Sequence, residues 1–175
     1  MGQEVGRTVL SVTASRVTEQ IKSALAGAKA CVDGKVPYML GGNTLEGMDC
    51  SGLIKYCYSG LLPKGLWEQS EALKQWMFVE RDIRYTEEGD IVFFAEKTPP
   101  NNDISHNGIV ERVNGNNAVV IHASETRGRV VRDDFARIEN LFRETYFAKS
   151  VGKVRLFLFR LFLEEEINRM VKNAS

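Results

Sequence analysis

Two extended runs, His106 to Val113 and Ala118 to Ser124, are separated only by Asn114-Gly115-Asn116-Asn117, and this commits the middle of the chain to an antiparallel hairpin. The hairpin carries both histidines of the chain, His106 and His122. With a three-residue loop, Asn114 to Asn116, pairing centres on residue 115 and His106 lies opposite Ser124. His122 then shares its face, at a diagonal backbone spacing of roughly 7 to 8 Å that two imidazoles can bridge. A four-residue loop would shift the parity and turn His122 away, unless a bulge restored it. The spacing permits a histidine pair without forcing one.

Upstream of the hairpin the period is helical. Val17 to Cys31 places Val17, Ile21, Ala24, Leu25 and Ala28 on one side, which predicts an amphipathic helix, stopped by Asp33-Gly34. Val36 to Gly42 reads as a short extended stretch, and Asn43 to Met48 as a loop. A second helix follows from Ser51 to Gly60, and Leu66 to Glu80 predicts a third. Ile91-Val92-Phe93-Phe94 has the continuous apolar character of a buried strand. Pro99 to Asp103 reads as a surface loop, and Arg129 to Val131 as a strand. Phe135 to Phe142 is a loop or short helix, Lys153 to Phe159 a last strand, and Leu161 to Lys172 a helix. Helices first and strands later, without βαβ alternation, predict an α+β domain with an antiparallel sheet.

Asp49-Cys50-Ser51-Gly52 puts a thiol in the first turn of the second helix, whose apolar face is Leu53, Ile54, Cys57 and Leu61. Unpaired N–H groups and the helix dipole favour a thiolate there. An adjacent imidazole can hold the proton, and a second polar group can orient that imidazole. Cys31 and Cys57 fit better as small buried hydrophobes. Zinc is a poor alternative: Cys50 and Cys57 are seven residues apart on one helix, about 10 Å, too far for two sulfurs each about 2.3 Å from one ion. No C-x-x-C or H-E-x-x-H spacing occurs, so neither metal nor cofactor is expected.

The chain's 175 residues, 43% of them hydrophobic, suffice for one domain with a sizeable core. Three cysteines cannot all pair, so disulfides are not the main support. Acidic and basic residues balance at 23 each, which removes the electrostatic footprint of a nucleic-acid binder. Val154 to Leu163 is apolar but short and interrupted by Arg155 and Arg160, so no membrane span is expected.

Five segments, taken in order, resemble the NlpC family of cell-wall cysteine peptidases: Pro37-Tyr38-Met39-Leu40-Gly41-Gly42, Asp49-Cys50-Ser51-Gly52-Leu53, Gly89-Asp90-Ile91-Val92-Phe93-Phe94, Ser105-His106-Asn107-Gly108-Ile109-Val110 and Ile121-His122-Ala123-Ser124. The resemblance covers about residues 20 to 135. It implies a papain-like fold, with the nucleophile at a helix start packed on an antiparallel sheet that carries the histidines. It also implies an endopeptidase acting on peptidoglycan stem peptides, at the bond from γ-D-glutamate to diaminopimelate or lysine. On this mapping Cys50 is the nucleophile, His106 the general base and acid, and His122 the group orienting His106. Tyr38 matches a tyrosine beside the active site, while Asp49 and Ser51 match positions that contact substrate where a free L-alanine amine is recognised. The chain departs from the family pattern at Lys64-Gly65-Leu66-Trp67, where many members carry an Arg-Thr/Ser pair.

Two other functions fit the same residues. One is a thiol acyltransferase or amidase using the same triad, because fold and triad fix acyl chemistry more tightly than substrate. The other is a non-catalytic wall-binding domain, against which the intact Cys50, His106 and His122 weigh. The whole of 1–175 is expected to be one catalytic domain. Its tail from about 150 is either a final strand and packing helix or a docking surface for a protein partner. No signal peptide is legible at the N-terminus, so the expected route to the wall is phage-associated or specialised delivery, with cytoplasmic muropeptide recycling as the alternative.

Overall fold

The computed structural model describes residues 2–58, 65, 68–69, 77–78, 86–98, 101–145, 154–157 and 169. Two helices come first, α1 (Gly2–Asp33) and α2 (Cys50–Cys57), with a small hairpin of β1 (Asn43–Thr44) and β2 (Gly47–Met48) between them. Then follow β3 (Met77–Phe78), β4 (Ile91–Thr98), β5 (Asn101–Asn114), β6 (Asn117–Ser124), β7 (Arg129–Asp134), α3 (Phe135–Thr145) and β8 (Val154–Phe157). The main sheet has the order β3-β8-β4-β5-β6-β7, antiparallel at every pairing. The architecture is the α+β one that the pattern of helices and strands predicted.

Alternation along the strands explains why Ile91 to Phe94 is apolar at every position. Ile91 and Phe93, with Ile109, Ile121, Ala123 and Val130, pack under Ile21, Ala24, Leu25 and Ala28 of α1 and Leu53 and Ile54 of α2. Val92 and Phe94, with Val110 and Val120, pack under Phe135 and Ile138 of α3. Both faces of β4 are therefore covered along Ile91 to Phe94, which leaves no solvated side for a polar side chain in that stretch. Each fully buried Leu or Ile contributes roughly 1.5–3 kcal/mol relative to exposure. Cys31 and Cys57 lie in the first of these clusters as expected, 0% and 4% exposed.

Several boundaries differ from those expected. The first helix begins at Gly2 rather than Val17, and Asn43 to Met48 is a paired hairpin rather than a loop. Of the helix expected from Leu66 to Glu80, Glu68 and Gln69 are helical, whereas Met77–Phe78 is a strand paired with β8. The rest of that stretch lies outside the described residues. Asn101 to Asp103, expected in a loop, continues β5 opposite Glu96 to Thr98. The helix expected from Leu161 to Lys172 lies outside the described residues except at Arg169, which is helical.

The hairpin resolves the parity question in a specific way. Asn114 pairs with Asn117, leaving a two-residue turn with Gly115 at φ +59. An even-numbered turn has the wrong parity for a histidine pair. Beyond Val113↔Ala118 and Arg112↔Val119, however, the pairing steps to Val110↔Val120 and Ile109↔Ile121. Glu111 is the extra residue, and this bulge returns His106 and His122 to a common face.

Candidate active site

The first turn of α2 is built by Asp49. Its Oδ1 accepts hydrogen bonds from the Gly52 amide at 2.7 Å and from the Ser51 hydroxyl at 2.9 Å, and its Oδ2 accepts from the Gly41 amide at 2.7 Å. This is an N-cap that also ties the preceding loop to the helix. Gly52 is required for that contact. A Cβ on it would lie 1.9 Å from the Gly42 carbonyl oxygen, so only glycine lets the loop pass over the helix start. Asp49 and Ser51 are both buried, and Cys50 is partly exposed.

Opposite α2, the sheet holds a chain of imidazoles and charge. His106 Nε2 and His122 Nδ1 are 2.9 Å apart, with their rings edge to face. His106 also lies against the Phe94 ring, with centroids 5.8 Å apart. His122 Nε2 faces Asp133 Oδ2 at 3.3 Å. Asp133 Oδ1 accepts from Arg127 Nη2 at 3.1 Å and lies 3.5 Å from Arg137 Nη1. Gly108 makes room for this arrangement, since a Cβ there would come within 2.5 Å of Val120 and 3.2 Å of the His122 Cβ.

The two halves meet at Asn107. Its backbone N–H lies against the Cys50 sulfur, so the thiol reaches β5 beside the residue that follows His106. A side-chain bridge fixes that approach. Gln69 Nε2 donates to the Ser51 carbonyl at 2.8 Å, which turns Gln69 Oε1 toward the Asn107 amide, and Asn107 Nδ2 donates to it at 2.8 Å. Helix start and strand are thus held together by two buried amides. Asn107 Oδ1 is left without a partner among the described residues.

The electrostatics differ from the sequence expectation at Cys50. Burial, and then the Asp49 carboxylate, push the thiol up to about 11, outweighing the opposing effect of the Asn107, Ser51 and Cys50 N–H groups. The same carboxylate that caps the helix offsets its dipole at the sulfur. Burial and the neighbouring His122 hold His106 well below its ordinary value. Nucleophile and base therefore rest as a neutral pair. For Asp133, burial disfavours the charge, but the hydrogen bond from His122 and the Arg127 and Arg137 guanidiniums hold its carboxyl below the ordinary range.

Of the six residues singled out by sequence, Cys50, Asp49 and Ser51 form the helix start, and His106 and His122 form the sheet pair. Tyr38 is partly buried against the core, its backbone bridged to Met48 and hydrogen-bonded to Gly128. Asp133, Gln69 and Asn107 were missed. Asp133 was legible in principle, because it lies two residues beyond Val131, the partner of His122; extending the Arg129 to Val131 strand by one pleat would have placed it diagonal to the imidazole. Gln69 carried no local signal. Among the described residues no group of His, Cys, Asp and Glu is arranged to hold a metal ion, and no helix is long and apolar enough to cross a membrane.

Comparison with known proteins gives the same picture. Over 76 residues the chain is 38% identical to the gamma-DL-glutamyl hydrolase of Bacillus subtilis, a stretch that is 42% of this chain and 17% of that protein. Its fold matches the NlpC/p60 domain of the peptidoglycan hydrolase SagA, with TM-score 0.53 and 20% identity over 79% of this chain and 98% of that one. An NlpC/P60 family protein from Bacillus cereus matches with TM-score 0.52 and 21% identity, over 79% of this chain and 40% of that one. A model of the NlpC/P60 family matches residues 34–155, the span that contains the thiol, both imidazoles and Asp133. The chain belongs to the NlpC/P60 family, whose members are cysteine hydrolases acting on peptidoglycan.

Proposed function

We propose that the protein is a cysteine endopeptidase that hydrolyses the γ-D-glutamyl bond to diaminopimelate or lysine in peptidoglycan stem peptides. The observation that carries this reading is the 2.9 Å contact between His106 and His122, on the strand against which the Cys50 sulfur rests. A γ-glutamyl hydrolase among the relatives supports the choice of bond. In this reading Cys50 attacks the carbonyl carbon while its proton passes to His106. The Cys50 backbone N–H and the Tyr38 hydroxyl stabilise the oxyanion. His106 then returns the proton to the leaving amine, and water releases the acyl group from sulfur.

Asp49 and Ser51 border the substrate in the same reading. Asp49 already fills three of its roughly four acceptor positions, so an incoming ammonium would take the second lone pair of Oδ2. Digestion of purified peptidoglycan, alongside free tri- and tetrapeptides, with mass analysis of the products tests the proposal. Fragments ending in γ-D-glutamate are expected. Release of the whole stem peptide from the sugar would instead indicate an amidase, and no cleavage of either substrate would remove the reading.

A further inference from the structure

We infer that Asp133 is a positioning residue of this site: through His122 it decides which ring nitrogen of His106 carries the proton. The inference rests on the proposed roles of Cys50 and His106 but adds a residue outside the three. Asp133 is 6% exposed and holds its place on β7 by the register Val120↔Asp133. The charged groups against it are Arg127, from the turn before β7, and Arg137, from the first turn of α3. A buried carboxylate without such partners would be costly.

The proton positions follow from valence. A carboxylate can only accept, so the hydrogen in the 3.3 Å contact lies on His122 Nε2. A neutral imidazole has one N–H, so His122 Nδ1 is a bare acceptor. The 2.9 Å contact must then carry its hydrogen on His106 Nε2. That leaves His106 Nδ1 unprotonated, with a lone pair able to take the thiol proton. When it does so, His106 carries hydrogens on both nitrogens, His122 is unchanged, and Asp133 remains ionised. The negative charge on Asp133 then helps to hold the imidazolium through the intervening ring.

Asp133→Asn turns this logic around. Arg127 and Arg137 would still claim the side-chain oxygen, so the amide nitrogen would face His122 Nε2 as a donor. The His122 hydrogen would move to Nδ1 and be donated to His106 Nε2, and the His106 hydrogen would move to Nδ1, where no base remains. The near-isosteric change should therefore be more harmful than Asp133→Ala, which leaves the tautomer free.

Long-range ¹H–¹⁵N correlation on uniformly labelled protein without substrate, at about pH 8 where unperturbed imidazole is neutral, reads the tautomers directly. Only two histidines need be assigned. The expected result is Nε2–H on both rings in the wild type and Nδ1–H on both in Asp133→Asn. A fall in kcat/KM of roughly 10⁴-fold is expected for Asp133→Asn, the scale on which a wrong tautomer acts in such relays, with a smaller fall for Asp133→Ala. Unchanged tautomers in Asp133→Asn, or activity of that variant at or above that of Asp133→Ala, would overturn the inference. So would Nδ1–H on His106 in the wild-type spectrum, which needs no variant to fold. Because the spectra require no substrate, failure to cut peptidoglycan would count against the proposed function and leave the tautomer assignment standing.

Discussion

The nucleophile end and the imidazole end of this site are built in opposite ways. Cys50 is placed by contacts within a few residues: the Asp49 cap reaches Gly52, Ser51 and Gly41. His106, His122 and Asp133 are placed by the register of β5, β6 and β7, including a bulge at Glu111. Local chemistry can tolerate errors elsewhere in the fold. A relay spanning three strands cannot, because a slip of one residue turns a side chain to the other face. The Asn107 and Gln69 amides are where the two constructions are joined.

The largest expected effect lies at the local end. Cys50→Ala should reduce hydrolysis to background while its thermal unfolding stays close to that of the wild type. Cys31→Ala and Cys57→Ala should retain turnover and lose on the order of 1 kcal/mol of stability. Hydrolysis assays and unfolding curves on the three variants separate the roles. Turnover by a folded Cys50→Ala protein would dissolve the distinction between this cysteine and the buried pair.

Next come the two glycines that serve one end each. Gly52→Ala forces a Cβ into the Gly42 carbonyl and Gly108→Ala forces one into Val120 and the Ile121 carbonyl. Each should cost roughly 3 kcal/mol, at the upper end for overpacking, read by denaturant unfolding. Their effects on the site should differ. Near-ultraviolet and imidazole signals should report a disturbed histidine pair for Gly108→Ala and an intact one for Gly52→Ala.

The pH dependence sharpens the comparison through charge. With His106 held well below 6.5 and Cys50 pushed up to about 11, kcat/KM should rise as His106 loses its proton, on a limb lying below pH 6.5. It should stay level and then fall as the thiol ionises near 11. A resting thiolate–imidazolium pair would instead lose activity at mildly alkaline pH, as the imidazolium deprotonated. Asp49→Asn keeps a good helix cap but removes the charge that raises the thiol, so its alkaline limb should move to lower pH. A limb that stayed put would mean Asp49 acts on Cys50 only through structure.

The smallest effect is expected at the bulge. Arg132 Nε contacts both carboxylate oxygens of Glu111 at 3.0 Å, yet the arginine is one-third exposed. Arg132→Ala should cost under about 1 kcal/mol and leave the histidine pair in place, since strand pairing rather than this ion pair sets the register.

What was legible in the sequence follows the same division. The helix start, its thiol and the core role of Cys31 and Cys57 could be read from residues three or four apart. The hairpin was legible as well, but not its pairing, because a two-residue turn plus a bulge gives the same histidine alignment as a three-residue loop. The thiolate expected at Cys50 was misjudged for a physical reason. Helix position argues for stabilisation, whereas burial and the adjacent carboxylate act only once the loop has folded over the helix. Gln69 illustrates the limit: its partners, Ser51 and Asn107, are 18 and 38 residues away, and no periodicity encodes them.

The central claim is that Cys50 carries the acyl group during turnover. Rapid acid quench of the protein with a γ-D-glutamyl stem peptide, followed by intact mass measurement and peptide mapping, tests it directly. A transient adduct with the mass of the acyl fragment, confined to the Cys50 peptide and absent in His106→Ala, is the predicted result. Cleavage that proceeds at full rate in Cys50→Ala, or an adduct that maps to Cys31 or Cys57, would contradict it.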